Sequence, residues 1–205
     1  MKRKTTEEVL AESFQEVAAK KAVNRITIKD IVSNCGLSST TFYRYYRDKE
    51  DLIAWIYKRN CRAILERLKD SPCWWEEMVS EWINDCVQNR YFLINLLTNT
   101  GRYDAFVQHM VDITEKIIED EITARSGGAA ISKKDHVKLY LHTMGAVRLM
   151  CAWMLGKVSI TQELAAEIIS EAERPRGCRA GDLGRRLRRA ARRPGRGQRI
   201  LLLSA

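Results

Sequence analysis

Between residues 1 and 173 the chain carries one proline, Pro72, and over the same stretch its apolar residues recur at spacings of three and four. Proline removes a backbone donor and collides with the preceding turn, so a long stretch nearly free of it can be helical throughout. A three-and-four spacing places apolar side chains on one face of a helix. No sustained alternation of apolar and polar residues appears, so the expected fold class is all-α.

Helix starts are marked as well. Thr5-x-x-Glu8, Thr27-x-x-Asp30 and Ser132-x-x-Asp135 each stand before an apolar-periodic segment, and Asp48 stands before a fourth. In each, a side-chain oxygen can accept from an early backbone N–H, and the following acid suits the positive helix end. The pattern predicts helices over about 6–20, 27–34, 38–45, 49–69, 74–88, 90–100, 103–124, 133–156 and 161–172. Gly127-Gly128 reads as a loop, and Pro72 as the junction between a small N-terminal unit and a larger C-terminal one.

Charge needs care. The chain holds 35 Lys and Arg against 26 Asp and Glu. Of these, 11 Arg and one Asp fall in residues 174–205, which leaves 24 basic and 25 acidic residues in 1–173. The global basicity therefore belongs to the C-terminal segment and is no evidence for nucleic-acid binding by the rest. That segment uses no Lys, whereas 1–173 uses 13 Lys and 11 Arg. Such a switch reads either as a change of reading frame or a vector-derived extension, or as a disordered basic arm that adds non-specific phosphate attraction.

Other classes are disfavoured. The opening residues turn acidic at Glu7-Glu8 where a secretory signal turns apolar, and the apolar run Leu139–Leu155 carries His142 and Arg148. Neither a leader nor a membrane span is expected, and a cytoplasmic protein is. Six widely spread cysteines with no C-x-x-C pair argue for reduced thiols and against a zinc site, so no metal and no cofactor is expected. Three histidines, with no H-E-x-x-H, P-loop or G-x-S-x-G, leave no catalytic set. Cys151 and His142 lie nine residues apart, on opposite sides of a helix.

The most informative stretch is residues 27–52. A short helix ends near Asn34, Gly36 can take the left-handed conformation of a tight turn, and a second short helix begins at Ser38. Ile28, Ile31, Val32, Leu37, Phe42 and Tyr46 form a small core. Ser39, Thr40, Thr41, Tyr43, Arg44 and Tyr45 remain outward on the second helix. Short hydroxyls, phenols and a guanidinium suit base edges and phosphate oxygens, which is the logic of a helix-turn-helix.

This segment resembles the N-terminal domain of the TetR family of bacterial transcription regulators. The matching residues are Thr27-Ile28-x-Asp30-Ile31, Gly36-Leu37-Ser38, Thr41-Phe42-Tyr43-x-Tyr45-Tyr46 and Asp48-Lys49-Glu50-Asp51-Leu52. Departures are Thr40, where small or basic residues are common, Cys35, where alanine is common, and Tyr46, where phenylalanine is usual. The resemblance implies a three-helix DNA-binding domain over 1–50, a connecting helix 49–69, and a helical effector-binding and dimerisation domain over 51–173. Ser39, Thr40 and Arg44 become candidates for base contacts. Thr41, Tyr43, Tyr45 and Lys49 become candidates on the phosphates, with Thr27 and Lys29 touching the backbone from the preceding helix, and Ser38 joins them as a DNA-binding residue. The implied partner is double-stranded DNA bearing a palindromic operator, and the usual mode is repression. A protein-interaction module without DNA binding is the alternative.

The remaining two-thirds are rich in aromatics and Met, which at helical spacing chiefly build core. The resemblance implies that some line the pocket of an unknown small-molecule effector, with Trp82, Tyr103, His142 and Arg148 as candidates. The segment 133–156 is apolar on two sides, so it must be buried on two sides. With 161–172 from each of two copies it suits a two-fold four-helix interface. Trp55-Ile56-Tyr57, the tryptophans near residue 75, and Gly145 with Trp153 carry a fainter resemblance to the branch that includes dihydroxyacetone kinase regulators.

Overall fold

Thr5, Thr27, Ser38, Asp48 and Ser132 each accept the backbone N–H three residues on, and each opens a helix. A sixth start is capped by Thr161, whose hydroxyl accepts from the Leu164 N–H at 3.2 Å. Caps of this kind each contribute about 1 kcal/mol. The computed structural model describes residues 4–172. The Arg-rich segment 174–205, and with it either reading of its origin, lies outside the described residues.

The described residues form nine α-helices and one 3-10 turn. They are α1 (Thr6–Ala18), the 3-10 turn Val23–Arg25, α2 (Ile28–Asn34), α3 (Ser39–Tyr45), α4 (Lys49–Arg67) and α5 (Trp74–Gln88). Then follow α6 (Arg90–Asn99), α7 (Tyr103–Arg125), α8 (Lys133–Met154) and α9 (Gln162–Ala172). The all-α expectation holds, and every expected helix is present within a residue or two of its expected bounds. The 3-10 turn was not anticipated; Ala22 offers no side-chain cap to announce it.

Two apolar cores are built. The N-terminal core gathers Leu10 and Phe14 of α1, Ile31 and Val32 of α2, and Phe42 of α3, with Leu52, Ile53 and Ile56 of α4. Leu96 of α6 inserts into the same core. The second core gathers Trp75, Ile83, Val107, Val111, Val147 and Ile169. Helix α4 belongs to both: Leu52, Ile53 and Ile56 face the N-terminal core, and Ala54 and Leu65 face the second.

Within the second core α7 lies along α8 and α4, and α5 packs on α9. Arg125 closes the α4–α5 corner beside Pro72. Its guanidinium donates to the Leu68 carbonyl at 2.9 Å and covers the Trp74 ring at 4.7 Å. Gly127 and Gly128 both take positive φ, at 71° and 88°, and turn the chain from α7 into α8. No described helix is long and apolar enough to cross a membrane. Among the described residues all five cysteines are free, and no His, Cys, Asp and Glu cluster suited to a metal ion occurs.

Candidate nucleic-acid interface and the cavities behind it

Helices α2 and α3 are each seven residues long, too short to be stable alone, and depend on their shared core. Between them Gly36 adopts φ 69°, which lets the Leu37 N–H return to the Val32 carbonyl at 2.9 Å. Leu37 then packs, half-buried, on the N-terminal core. Ile28 is likewise only half-buried, while Ile31, Val32, Phe42 and Tyr46 are fully enclosed.

With Phe42 completely buried, the rest of α3 turns outward. Ser39, Thr40 and Arg44 are exposed, Tyr43 is 59% exposed and Tyr45 40%. Thr41 is half-buried. Its backbone N–H and hydroxyl both engage the Ser38 hydroxyl, at 3.1 and 2.9 Å, so Ser38 caps the helix. Thr27 is committed in the same way: it caps α2 and donates its hydroxyl to Asp30 at 2.8 Å. Lys29 is exposed.

Lys49 is placed less simply. Its Nζ donates to the carbonyls of Val23 at 2.9 Å and Ile26 at 3.3 Å, which ties the start of α4 to the 3-10 turn. An ammonium has three donors, so one remains for a phosphate. Asp30 accepts from Lys21 at 2.7 Å and from the Thr27 N–H at 2.7 Å. The Lys21 ammonium first, then the Thr27 N–H, holds its carboxyl well below the usual carboxylate range. Arg47, just past α3, was not among the expected site residues, yet its side chain is 85% exposed. A basic residue immediately after the second helix was the available signal.

Behind this unit lie two apolar cavities. The larger, of about 90 Å³, sits among α4, α5, α6, α7 and α8 and reaches Gln15 of α1. The smaller, of about 50 Å³, lies among α4, α5, α7, α8 and α9. Cys61, Ile64, Trp82 and Val147 form walls of both. Of the four expected pocket residues, Trp82 lines both cavities and His142 lines the smaller, its ring 5.1 Å from that of Trp75. Tyr103 and Arg148 stand outside both linings. Arg148 follows the inward Val147 by one residue, a turn of roughly 100°, and pairs with Asp104 at 3.0 Å on the surface. Tyr103 stacks under the Lys157 ammonium, 5.6 Å away.

Polar groups are few along the larger cavity. Tyr57 approaches the Thr114 hydroxyl at 2.6 Å, and that hydroxyl donates to the Met110 carbonyl. The Tyr57 hydroxyl is therefore the donor of the pair. Burial pushes the thiols of Cys61, Cys86 and Cys151 above the ordinary range, Cys61 to about 12 and Cys151 to about 11, so all three stay protonated. Burial also raises the Asp85 carboxyl, against the smaller opposing effect of the Asn60 amide.

A short helix bedded on a core, followed across a left-handed glycine by a second helix with an outward polar face, defines a helix-turn-helix DNA-binding unit. Residues 15–56 match the family described as bacterial regulatory proteins, tetR family. All of α2, α3 and the first turns of α4 fall inside the match.

Two curated relatives are similar over parts of their length. The activator of the dhaKLM operon DhaS, from Lactococcus lactis subsp. lactis (strain IL1403), is 24% identical over 74 residues, 36% of this chain and 40% of the relative. The uncharacterised helix-turn-helix regulator YxbF, from Bacillus subtilis (strain 168), is 36% identical over 64 residues, 31% of this chain and 17% of the relative. The matches thus span less than half of either relative.

Two solved structures share the fold more widely. The dihydroxyacetone kinase operon activator DhaS aligns with TM-score 0.53 at 15% identity, covering 82% of this chain and 91% of its own. The fatty acid degradation regulator FadR from Bacillus halodurans aligns with TM-score 0.51 at 10% identity, covering 85% and 100%.

Proposed function

We propose that the protein is a cytoplasmic, sequence-specific transcriptional regulator, not an enzyme, which binds a palindromic DNA site as a homodimer and responds to a small molecule. The observation that carries this reading is the outward face of α3, where Ser39, Thr40, Tyr43, Arg44 and Tyr45 stand free around a buried Phe42. Ser39, Thr40 and Arg44 read base edges; Tyr43, Tyr45, Lys29 and the spare donor of Lys49 hold phosphates, joined by Arg47. Ser38, Thr41 and Thr27 contribute by fixing helix starts and by their proximity to the DNA backbone. Residues 1–50 act as the DNA-binding domain and 51–173 as the effector and dimerisation domain, with α4 connecting them.

Dimerisation is supported by an apolar face on α8 and α9. Val137 and Leu141 are 50% and 65% exposed, Leu164 and Ile168 43% and 44%. Four large aliphatic side chains left in water on two adjacent helices are what a two-fold helical interface buries. Effector response is supported by the larger cavity, which touches α1 through Gln15 and α6 through Phe92. A ligand acts only by binding two conformations unequally, and this cavity borders both cores. Repression by promoter occupancy is the usual mode in the family, whereas the relative DhaS is named an activator.

The test is selection of bound sequences from a random DNA pool at near-physiological salt, using residues 1–173 so that the Arg-rich segment attracts no DNA indiscriminately. Enrichment of a palindrome is expected. A folded dimer that enriches nothing favours a helical interaction module.

A further inference from the structure

The reading of the cavities as an effector site leaves its ligand unnamed, and the following rests on that reading. We propose that the two cavities form one divided site for an uncharged, largely apolar molecule bearing a hydrogen-bond-accepting oxygen, which Thr143 and Trp82 receive.

Three observations converge on this class. First, the cavities share four wall residues, so they lie side by side with only those side chains dividing them. Apolar voids of this kind stay dry, and their lining atoms lack dispersion partners that a hydrocarbon body restores.

Second, no Lys or Arg lines either cavity, and the carboxylate of Asp85 is already engaged by the Asn89 amide at 3.1 Å. Apart from the His142 imidazole, which packs against Trp75, a ligand carboxylate or phosphate has no basic side chain to meet it and loses its hydration on entry.

Third, two buried polar groups are left open. Thr143 is 1% exposed, lines the smaller cavity, and its Oγ1 has no hydrogen-bond partner, not even a carbonyl of its own helix. The Trp82 indole N–H is also buried, with the Tyr57 hydroxyl oxygen as a poorly aligned neighbour and no acceptor in full hydrogen-bond geometry. An indole N–H only donates, and a hydroxyl can donate. What both require is an acceptor, and a carbonyl, ether or hydroxyl oxygen on a neutral molecule supplies one without bringing charge.

The test is a matched series of one-ring probes: acetophenone, benzoate, benzylammonium and ethylbenzene, titrated calorimetrically into the full-length protein. Acetophenone is expected to bind at least tenfold more tightly than either ion. Thr143→Val is expected to weaken acetophenone about fivefold, the size of one neutral hydrogen bond, while leaving ethylbenzene unchanged and Thr143→Ser near the parent. Circular dichroism and thermal melting check that each variant is folded. Tighter binding of benzoate or benzylammonium overturns the proposal, as does equal loss of acetophenone and ethylbenzene in Thr143→Val. If ethylbenzene and acetophenone bind alike and Thr143→Val changes neither, the ligand class is wrong while the effector cavity stands. If no probe binds to a protein that still binds its DNA site, the effector cavity falls with it.

Discussion

Asn95 of α6 donates its side-chain amide to the carbonyl of Ala18, the last residue of α1, at 2.7 Å. The same amide donates to the Lys21 carbonyl at 2.9 Å, while its oxygen accepts from the Val23 N–H at 3.1 Å and from the Asn99 amide at 2.9 Å. Every donor and acceptor of one side chain is thereby used, and three of the four bonds join α6 to the turn that leads into the helix-turn-helix. Phe92, one turn earlier on α6, meets Phe14 of α1 edge to face with ring centres 5.8 Å apart.

Replacing Asn95 by Ala strands those three backbone groups. The expected loss is about 2–3 kcal/mol in urea unfolding at neutral pH. Because α6 also lines the larger cavity, any small molecule that releases the parent from DNA is expected to lose most of its effect in Asn95→Ala. DNA release measured by fluorescence anisotropy checks this; an unaltered ligand response assigns the coupling to α4 alone.

Tyr46 offers a change in the opposite direction. It is 3% exposed, packs on Phe42 and Trp55, and its hydroxyl has no hydrogen-bond partner. A buried, unsatisfied hydroxyl is a cost, so Tyr46→Phe is expected to raise stability by about 1 kcal/mol. The midpoint of urea unfolding reads this directly, and a lower midpoint means that the hydroxyl is paired in solution.

This residue also shows where sequence reading reaches its limit. The resemblance identified Tyr46 as a departure from phenylalanine, and its place in the core followed from the spacing with Phe42. That its hydroxyl is unpaired depends on Trp55 and α1, which no local pattern brings together. Helix starts were legible for a similar reason: Thr5, Thr27 and Ser132 act on residues three positions away. Lys49 and Asn95 were not, because their partners lie 23 to 26 and 72 to 77 residues distant. Arg148 shows the same limit on one helix. Its charge was visible, but which side of α8 faces the cavity was settled by α7 and α4.

On DNA, two substitutions in α3 separate positioning from reading. Tyr43→Phe removes one exposed hydroxyl and is expected to weaken binding to every sequence by several-fold, with stability within about 0.5 kcal/mol of the parent. Arg44→Ala is expected to change which base pairs are preferred. Parallel selections from a random pool distinguish them; identical preferences in Arg44→Ala remove that residue from base contact.

At the α8–α9 face, Leu141→Glu places a charge where 65% of a leucine side chain now meets solvent. The monomer tolerates this, since the position is exposed, whereas a two-fold interface brings two such charges together. Light scattering is expected to show a dimeric parent and a monomeric variant with an unchanged helical spectrum. A monomeric parent removes the interface.

Asp85 confers a pH dependence of definite sign. Its carboxyl is raised above the ordinary 3.8 by burial, so the folded state holds the proton more tightly than the unfolded chain does. Folding stability therefore falls as pH climbs from the ordinary value through the raised one, and stays lower above it. Asp85→Asn is expected to remove this slope and to be relatively more stable at pH 7 than at pH 4. Urea midpoints at the two pH values check it; equal differences mean that the carboxyl is not penalised.

Trp75 is fully buried, and its indole N–H is satisfied by the Ser170 carbonyl of α9 at 3.2 Å. Among the described residues the N-terminal core, by contrast, draws on nothing later than α6 apart from Phe106. During synthesis the two halves must then mature at different moments. At ribosomal speeds the chain from Leu96 to Ser170 takes on the order of ten seconds to appear. For that interval the DNA-binding unit can already be closed while the tryptophan pocket on α5 stands open to any apolar surface nearby. Helix α9 is the bung of the second core, and a nascent chain halted before it presents a finished reading head on an unfinished body.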